Sequence, residues 1–260
     1  MTSTKRQIKT LILAGTSEAS QLARLLVDES EIAPIASFAG RTKSLKPPPI
    51  PYRMGGFGGV DGLAHYLESE EVDAVIDATH PFAAQMSSNA AEACRRLNLP
   101  LLRLERPAWA PVEGDRWASV TSMAEAAEAL GSDPKRVFLP IGKLEVAPFE
   151  AAPQHHYLLR AVDAFAIPAG LTNAELITAR GPFGLVDEIA LMRQHRIDIV
   201  VSKNSGASAT EAKISAARRL GLPVIMVERP SLPEAETVAT AEEALNWLRS
   251  AHPASTRRGV

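Results

Sequence analysis

The chain repeats its own plan. Arg95-Arg-Leu-Asn-Leu-Pro100 returns 123 positions later as Arg218-Arg-Leu-Gly-Leu-Pro223, and Arg106-Pro107 returns at the same offset as Arg229-Pro230. Val72-Asp73 matches Ile197-Asp198, and Arg53-Met-Gly-Gly-Phe57 has a weaker echo in Arg180-Gly-Pro-Phe183. Leu11-Ile-Leu-Ala-Gly15 is echoed in Val137-Phe-Leu-Pro-Ile-Gly142. A period this long is not that of a solenoid unit. It divides the 260 residues into two similar halves of ordinary domain size. Gly131-Ser-Asp-Pro134 has turn chemistry near the midpoint, so the expected domains are 1–131 and 132–260.

Within each half, short apolar runs alternate with helical patterns. Lys9–Ala14, Ile35–Phe38, Ala74–Asp77 and Leu101–Leu104 read as strands, and Ser17–Asp28 and Ser87–Leu97 as helices. Alternation of this kind implies parallel strands with right-handed crossovers. The expected fold is α/β, with two Rossmann-like domains, mainly parallel sheets and a cleft between their strand ends. Ligands of open α/β sheets bind at the carboxyl ends of strands. The run Asp77-Ala-Thr-His-Pro-Phe-Ala83 stands at one such end, just after Val72-Asp-Ala-Val-Ile76.

A net charge of −2 provides no global field for nucleic acid or an anionic membrane, so local basic groups must hold any anionic ligand. One cysteine, Cys94, excludes an intrachain disulfide and a thiolate zinc cluster, and its Ala-rich helical setting points to packing. No histidine pair has metal-ligand spacing. The apolar run after Lys5, Arg6 and Lys9 is too short for a signal peptide or a bilayer span, so a cytoplasmic location is expected.

Gly15, Thr16, Ser17 and Glu18 join the first strand to the first helix. They suit either a capped turn or an anion seat, in which the glycine admits a phosphate and the free helix N–H groups attract it. Ser37, Ala39, Gly40, Arg41 and Thr42 follow the second strand. An arginine there suits a 2′-phosphate where an acid would bind ribose hydroxyls. Gly55, Gly56, Phe57, Gly58 and Gly59 put four glycines in five positions, a loop that suits close approach of backbone to a flat ligand or a moving lid. His80, beside Thr79, could donate a proton or bond a carboxamide; a structural role is equally open. In the second half Lys203, Ser205 and Gly206 form the counterpart of that stretch. With Lys143 and Arg180 they put basic residues at successive strand ends, where anion binding competes with plain surface charge.

Together these strings resemble the precorrin-6A reductase family of cobalamin biosynthesis. The resemblance runs from Gly15-Thr-Ser-Glu-Ala19 through Ala39-Gly-Arg41, Gly55-Gly-Phe-Gly-Gly59, Asp77-Ala-Thr-His-Pro-Phe82 and Arg103-Leu-Glu-Arg-Pro-Ala-Trp109. It continues at Gly181-Pro-Phe183, Lys203-Asn-Ser-Gly206 and Arg229-Pro230, with one departure at Ala207, where a second glycine is expected. It implies NADPH-dependent reduction of one macrocycle double bond of precorrin-6A to precorrin-6B, with NADPH mainly on the first domain. The implied cofactor contacts are the residues just named in the first half together with Asp77, Ala78, Thr79 and His80. Thr79 and His80 would be the catalytic pair, with Lys143, Arg180, Lys203, Ser205 and Gly206 on the carboxylates of a tetrapyrrole. A monomer without nucleic-acid or membrane partners is expected. One rival is a dehydrogenase of small alcohols, although no tyrosine has a lysine four residues on. Another is a nucleotide-sensing module that binds NADPH without turnover.

Overall fold

The computed structural model describes residues 6–40 and 46–250. Two six-stranded sheets, each wholly parallel, account for all twelve strands among them. The first is built from β1 (Ile8–Ala14), β2 (Ile32–Phe38), β3 (Tyr52–Met54), β4 (Ala74–Ala78), β5 (Leu101–Leu104) and β12 (Glu236–Val238), in the order β12-β5-β4-β1-β2-β3. The second contains β6 (Trp117–Val120), β7 (Arg136–Leu139), β8 (His156–Ala161), β9 (Ala174–Thr178), β10 (Ile199–Lys203) and β11 (Val224–Val227), in the order β6-β11-β10-β7-β8-β9. The helices are α1 (Ser17–Leu25), α2 (Val60–Ser69), α3 (Ala84–Leu97), α4 (Met123–Ala129), α5 (Leu185–Gln194), α6 (Ser208–Leu220) and α7 (Ala241–Ser250). Strand order reverses between β1 and β4 in one sheet and between β7 and β10 in the other. These are the doubly wound switch points beside which ligands bind.

The duplication persists at the level of single hydrogen bonds. Asp73 bonds Lys9 N through its carboxylate (2.9 Å) while its own N–H donates to Lys9 O. Asp198 makes the same pair with Arg136 (2.8 Å). Helices α3 and α6 both end on a left-handed residue, Asn98 (φ 51°) and Gly221 (φ 66°), which releases the chain toward the next strand.

The division of the chain differs from the expected 131/132 boundary. One unit is Met1–Pro107 with Ser231–Val260, and the other is Ala108–Pro230. The turn at Gly131, with φ +75°, only links α4 to β7. After β5 the chain leaves its sheet at Arg106-Pro107 and adds β6 to the edge of the second sheet, beside β11. After β11 it leaves at Arg229-Pro230 and adds β12 to the edge of the first, beside β5. The two halves thus exchange their last strand and helix, and the duplicated Arg-Pro pairs mark the two exits. Each exported edge strand is short and pairs in parallel with the last core strand of the other half.

Both sheets bury their central strands on two faces, which is why those strands read as continuous apolar runs. β4 is buried throughout. Ile12, Leu22, Ile76 and Leu102 pack on one face with Ala244 and Leu248 of α7, and Leu11, Leu63, Leu67 and Val75 on the other. Phe138, Leu158, Val200 and Met226 hold the second core. Each fully buried aliphatic or aromatic side chain is worth about 1.5–3 kcal/mol. Cys94 belongs to the first core, and burial, then the charge of Asp77, pushes its thiol up to about 12.

Candidate functional site

At the β1–β4 switch point three loops meet. A Cβ on Gly15 would lie 3.5 Å from His80 N and 3.7 Å from Thr79 Cα, so the turn after β1 runs against the backbone that leaves β4. Thr16 caps α1 by accepting from Ala19 N (3.2 Å), and its hydroxyl donates to Ala78 O (3.0 Å). One side chain therefore ties the helix start to the strand end. Glu18, in the first turn, accepts from Ser17 Oγ and from Arg106 Nη1 (2.5 Å). The arginine offsets the negative charge that Glu18 puts in the first turn of α1.

Asp77 and Ala78 are buried beneath the loop. Asp77 Oδ1 accepts from Thr79 Oγ1 (2.7 Å) and Thr79 N (3.2 Å), and Arg103 Nε lies 3.9 Å from its other oxygen. Thr79 Oγ1 is 3.4 Å from Ser87 Oγ on α3. His80 Nδ1 accepts from Phe82 N (3.2 Å). A shallow depression with no room for a water molecule lies here, lined by Asp77, Thr79, His80, Ser87, Arg103 and Glu105 among others. Arg103 Nε is buried and finds no hydrogen-bond partner, whereas its Nη2 donates to Pro233 O (2.8 Å).

The glycine loop folds around Arg53. Its guanidinium donates to Ser37 Oγ (2.8 Å), Gly55 O (3.0 Å) and Gly56 O (3.3 Å), and lies 4.0 Å from the centre of the Phe57 ring. Gly55, Gly58 and Gly59 have φ of +114°, +82° and +94°, a region that side chains rarely enter. The space beside all four loop glycines is open. Ala39 and Gly40 are exposed, whereas Arg41 and Thr42 lie outside the described residues.

The second unit is arranged differently at its own switch point. Gly142, the counterpart of Gly15, opens a three-residue 3-10 turn, Lys143–Glu145, rather than a helix. The Glu145 carboxylate folds back, accepting from Gly142 N (3.0 Å) and from Lys203 Nζ (2.6 Å). Lys143 and Arg180 are exposed, and Ser205 is buried. Asn204 fixes the backbone of Trp109 at both ends, accepting from its N (2.8 Å) and donating to its O (3.0 Å). Arg229 donates to Asn204 O (3.0 Å) and Ser205 O (3.2 Å). Beneath this loop lie the Arg160–Glu188 pair and Lys213, which donates to Thr210 O (2.7 Å) and sits 4.6 Å from the Trp109 ring. Burial, with the charge of Arg160, lowers the Lys213 ammonium to about 7.

A profile of the precorrin-6x reductases CbiJ/CobK matches residues 9–249. The chain belongs to the precorrin-6x reductase family. It is 50% identical over 254 residues to a precorrin-6A reductase of a Sinorhizobium species, covering 96% of this chain and 97% of that one. It is likewise 50% identical over 250 residues to the precorrin-6A reductase of Rhodobacter capsulatus, covering 96% and 98%. A solved structure titled CobK precorrin-6A reductase superposes with a TM-score of 0.89 at 48% identity, covering 96% of this chain and 99% of that one.

In this precorrin-6x reductase family member the structure brings Gly15, Thr16, Asp77, Ala78, Thr79 and His80 together at the ends of β1 and β4. Ser37 and the glycine loop form a neighbouring group joined by Arg53. Among the basic residues of the second unit, Lys203 is paired with Glu145. Sequence reading missed Arg53, Ser87, Arg103 and Glu145. Arg53 could have been found from its place in the repeated Arg-x-Gly-x-Phe-like string. The others carry no local signal, since each acts on a residue distant in the chain or across a turn.

Proposed function

We propose that this protein is an NADPH-dependent precorrin-6A reductase, which reduces one macrocycle double bond to give precorrin-6B in cobalamin biosynthesis. Within that reading it works as a cytoplasmic monomer. The observation that carries the coenzyme assignment is the start of α1 at Gly15, Thr16 and Ser17, which lies against the Thr79–His80 backbone at the β1–β4 switch point. The donor set fits a phosphorylated pyridine dinucleotide. Gly15, Thr16 and Ser17 offer a helix N-terminus to the diphosphate. Ser37, Ala39, Gly40, Arg41 and Thr42 serve the adenosine end, with Arg41 on the 2′-phosphate. The glycine loop lies along the coenzyme.

When bound, NADPH supplies the hydride that adds to a conjugated ring carbon, and the protein supplies orientation. Thr79 and His80 hold the nicotinamide end. Lys143, Arg180, Lys203, Ser205 and Gly206 of the second unit take the substrate's carboxylates through charge-assisted bonds. His80 is the candidate group for the accompanying proton.

Mixing the purified protein with precorrin-6A and NADPH tests the reading. Concerted change of the macrocycle's visible spectrum and loss of NADPH absorbance supports it. NADPH binding with no spectral change would favour a nucleotide sensor instead. Full turnover by His80→Ala would remove that residue from proton transfer.

A further inference from the structure

Arg53 holds the glycine loop by its carbonyls. One guanidinium donates to two successive ones, Gly55 O (3.0 Å) and Gly56 O (3.3 Å), and packs against the Phe57 ring at 4.0 Å and the Tyr66 ring at 5.1 Å. The peptide bonds that follow Gly55 and Gly56 are trans, and in a trans peptide the N–H points opposite to the C=O. The N–H groups of Gly56 and Phe57 therefore both point away from Arg53. Among the described residues neither finds an acceptor. Gly56 is exposed, and the space beside it is open. The loop is also tied to the end of β2. Gly55 N donates to Phe38 O (2.9 Å), Arg53 donates to Ser37 Oγ (2.8 Å), and a Cβ on Gly40 would lie 4.0 Å from Met54 Cε. The two outward donors thus stand beside the strand end that serves the adenosine end of the coenzyme.

We infer that Arg53 is a positioning residue for coenzyme choice, which turns the Gly56 and Phe57 N–H groups toward the 2′-phosphate of a phosphorylated dinucleotide. The inference rests on the coenzyme assignment made above and adds to it a second source of preference for the phosphorylated form, besides Arg41. Backbone N–H groups suit a phosphomonoester, because bonds from them to an ionised oxygen are charge-assisted. A ribose hydroxyl in its place offers only a neutral bond. The geometry of Arg53 is specific to arginine. A planar fork reaches three acceptors and lies on a ring at once, whereas an ammonium is a point charge.

Calorimetric binding of NADP+ and NAD+, which differ only in the 2′-phosphate, tests this without turnover. Arg53→Met should lower the affinity for NADP+ by roughly 10-fold, the loss of one charge-assisted bond, and leave that for NAD+ nearly unchanged. Arg53→Lys keeps the charge without the fork, so it should lose the preference to a similar extent. An arginine that only stabilised the fold would weaken both coenzymes alike. Equal wild-type affinity for the two, an equal loss for both in Arg53→Met, or a preference that survives intact in Arg53→Lys would overturn the inference. Should the variants fail to fold, amide resonances of the wild-type protein decide the point. The Gly56 and Phe57 N–H protons should move downfield with NADP+ and not with NAD+, and unmoved resonances in the NADP+ complex would overturn the inference. Failure of the wild-type protein to bind NADP+ at all would instead sink the coenzyme assignment, and this inference with it.

Discussion

Glu145 and Lys203 meet at 2.6 Å at the strand ends of the second sheet, and the other oxygen of Glu145 caps Gly142 N at 3.0 Å. In the first unit the equivalent turn opens a helix, capped by the Thr16 hydroxyl. In the second, a side-chain carboxylate takes the corresponding backbone donor and the nearby ammonium. The same topology is thereby made unlike in the two units, one opening a helix and the other carrying its own anion.

Removing that internal carboxylate should help an external one. Both partners are partly exposed, so their pairing is worth about 1 kcal/mol or less. Glu145→Ala is expected to lower KM for the tetrapyrrole by roughly 2- to 5-fold, with KM for NADPH unchanged. Steady-state kinetics with each substrate varied in turn check this. A raised tetrapyrrole KM would mean that Glu145 orients Lys203 rather than competes for it.

Arg106 and Glu18 form a largely buried pair beside the start of α1. Arg106→Met leaves the carboxylate uncompensated there. A charged hydrogen bond of this kind is worth about 1.5–3 kcal/mol, so Tm should fall by roughly 3–10 °C. Adding Glu18→Gln should recover most of the loss, because the two residues share one interaction. A thermal double-mutant cycle measures the coupling. Additive losses would deny it.

Lys213 predicts a pH effect of definite sign. Its folded value is lowered to about 7 from an ordinary 10.5, so the unfolded chain binds the extra proton between those limits. Stability from this group therefore rises as pH increases from about 7 toward 10, and the penalty of burying the charge is full below 7. Lys213→Met should stabilise the protein most at pH 6–7, and the gain should shrink at alkaline pH (about one proton's linkage). Tm differences between variant and wild type across pH 6–10 report it, and a gain that grows with pH would contradict the sign.

The glycines around residue 57 should differ sharply in tolerance. A Cβ on Gly62 would lie 1.7 Å from Phe57 O, so the start of α2 or the loop must shift. Gly58 has open space but φ +82°, which costs a side chain about 1–2 kcal/mol. Gly56 has open space and no such φ. Thermal melts of the three alanine variants should rank Gly62 as the largest loss, then Gly58, with Gly56 near neutral. A lowered NADPH affinity in Gly56→Ala alone would support the approach of a ligand to that backbone.

Local patterning in the sequence was enough to define the parallel α/β class, the duplication and the strand ends that carry Gly15 and Thr79. β1, β4 and β5 fall at Ile8–Ala14, Ala74–Ala78 and Leu101–Leu104, close to the runs read from the chain, because strands buried on both faces leave continuous apolar stretches. What escaped the sequence is long-range. The apparent boundary at Gly131 has turn chemistry but separates no domains, since β6 pairs with β11 and β12 with β5, and backbone ladders of this kind leave no side-chain signature. The pairing of Lys203 with Glu145, the seating of Arg53 under the glycine loop and the orientation of the Thr79 hydroxyl by Asp77 were likewise settled only in three dimensions. Periodicity records which face of an element is buried. Which charge meets which, and which way a hydroxyl hydrogen points, depends on distances that exist only once the sheets have formed.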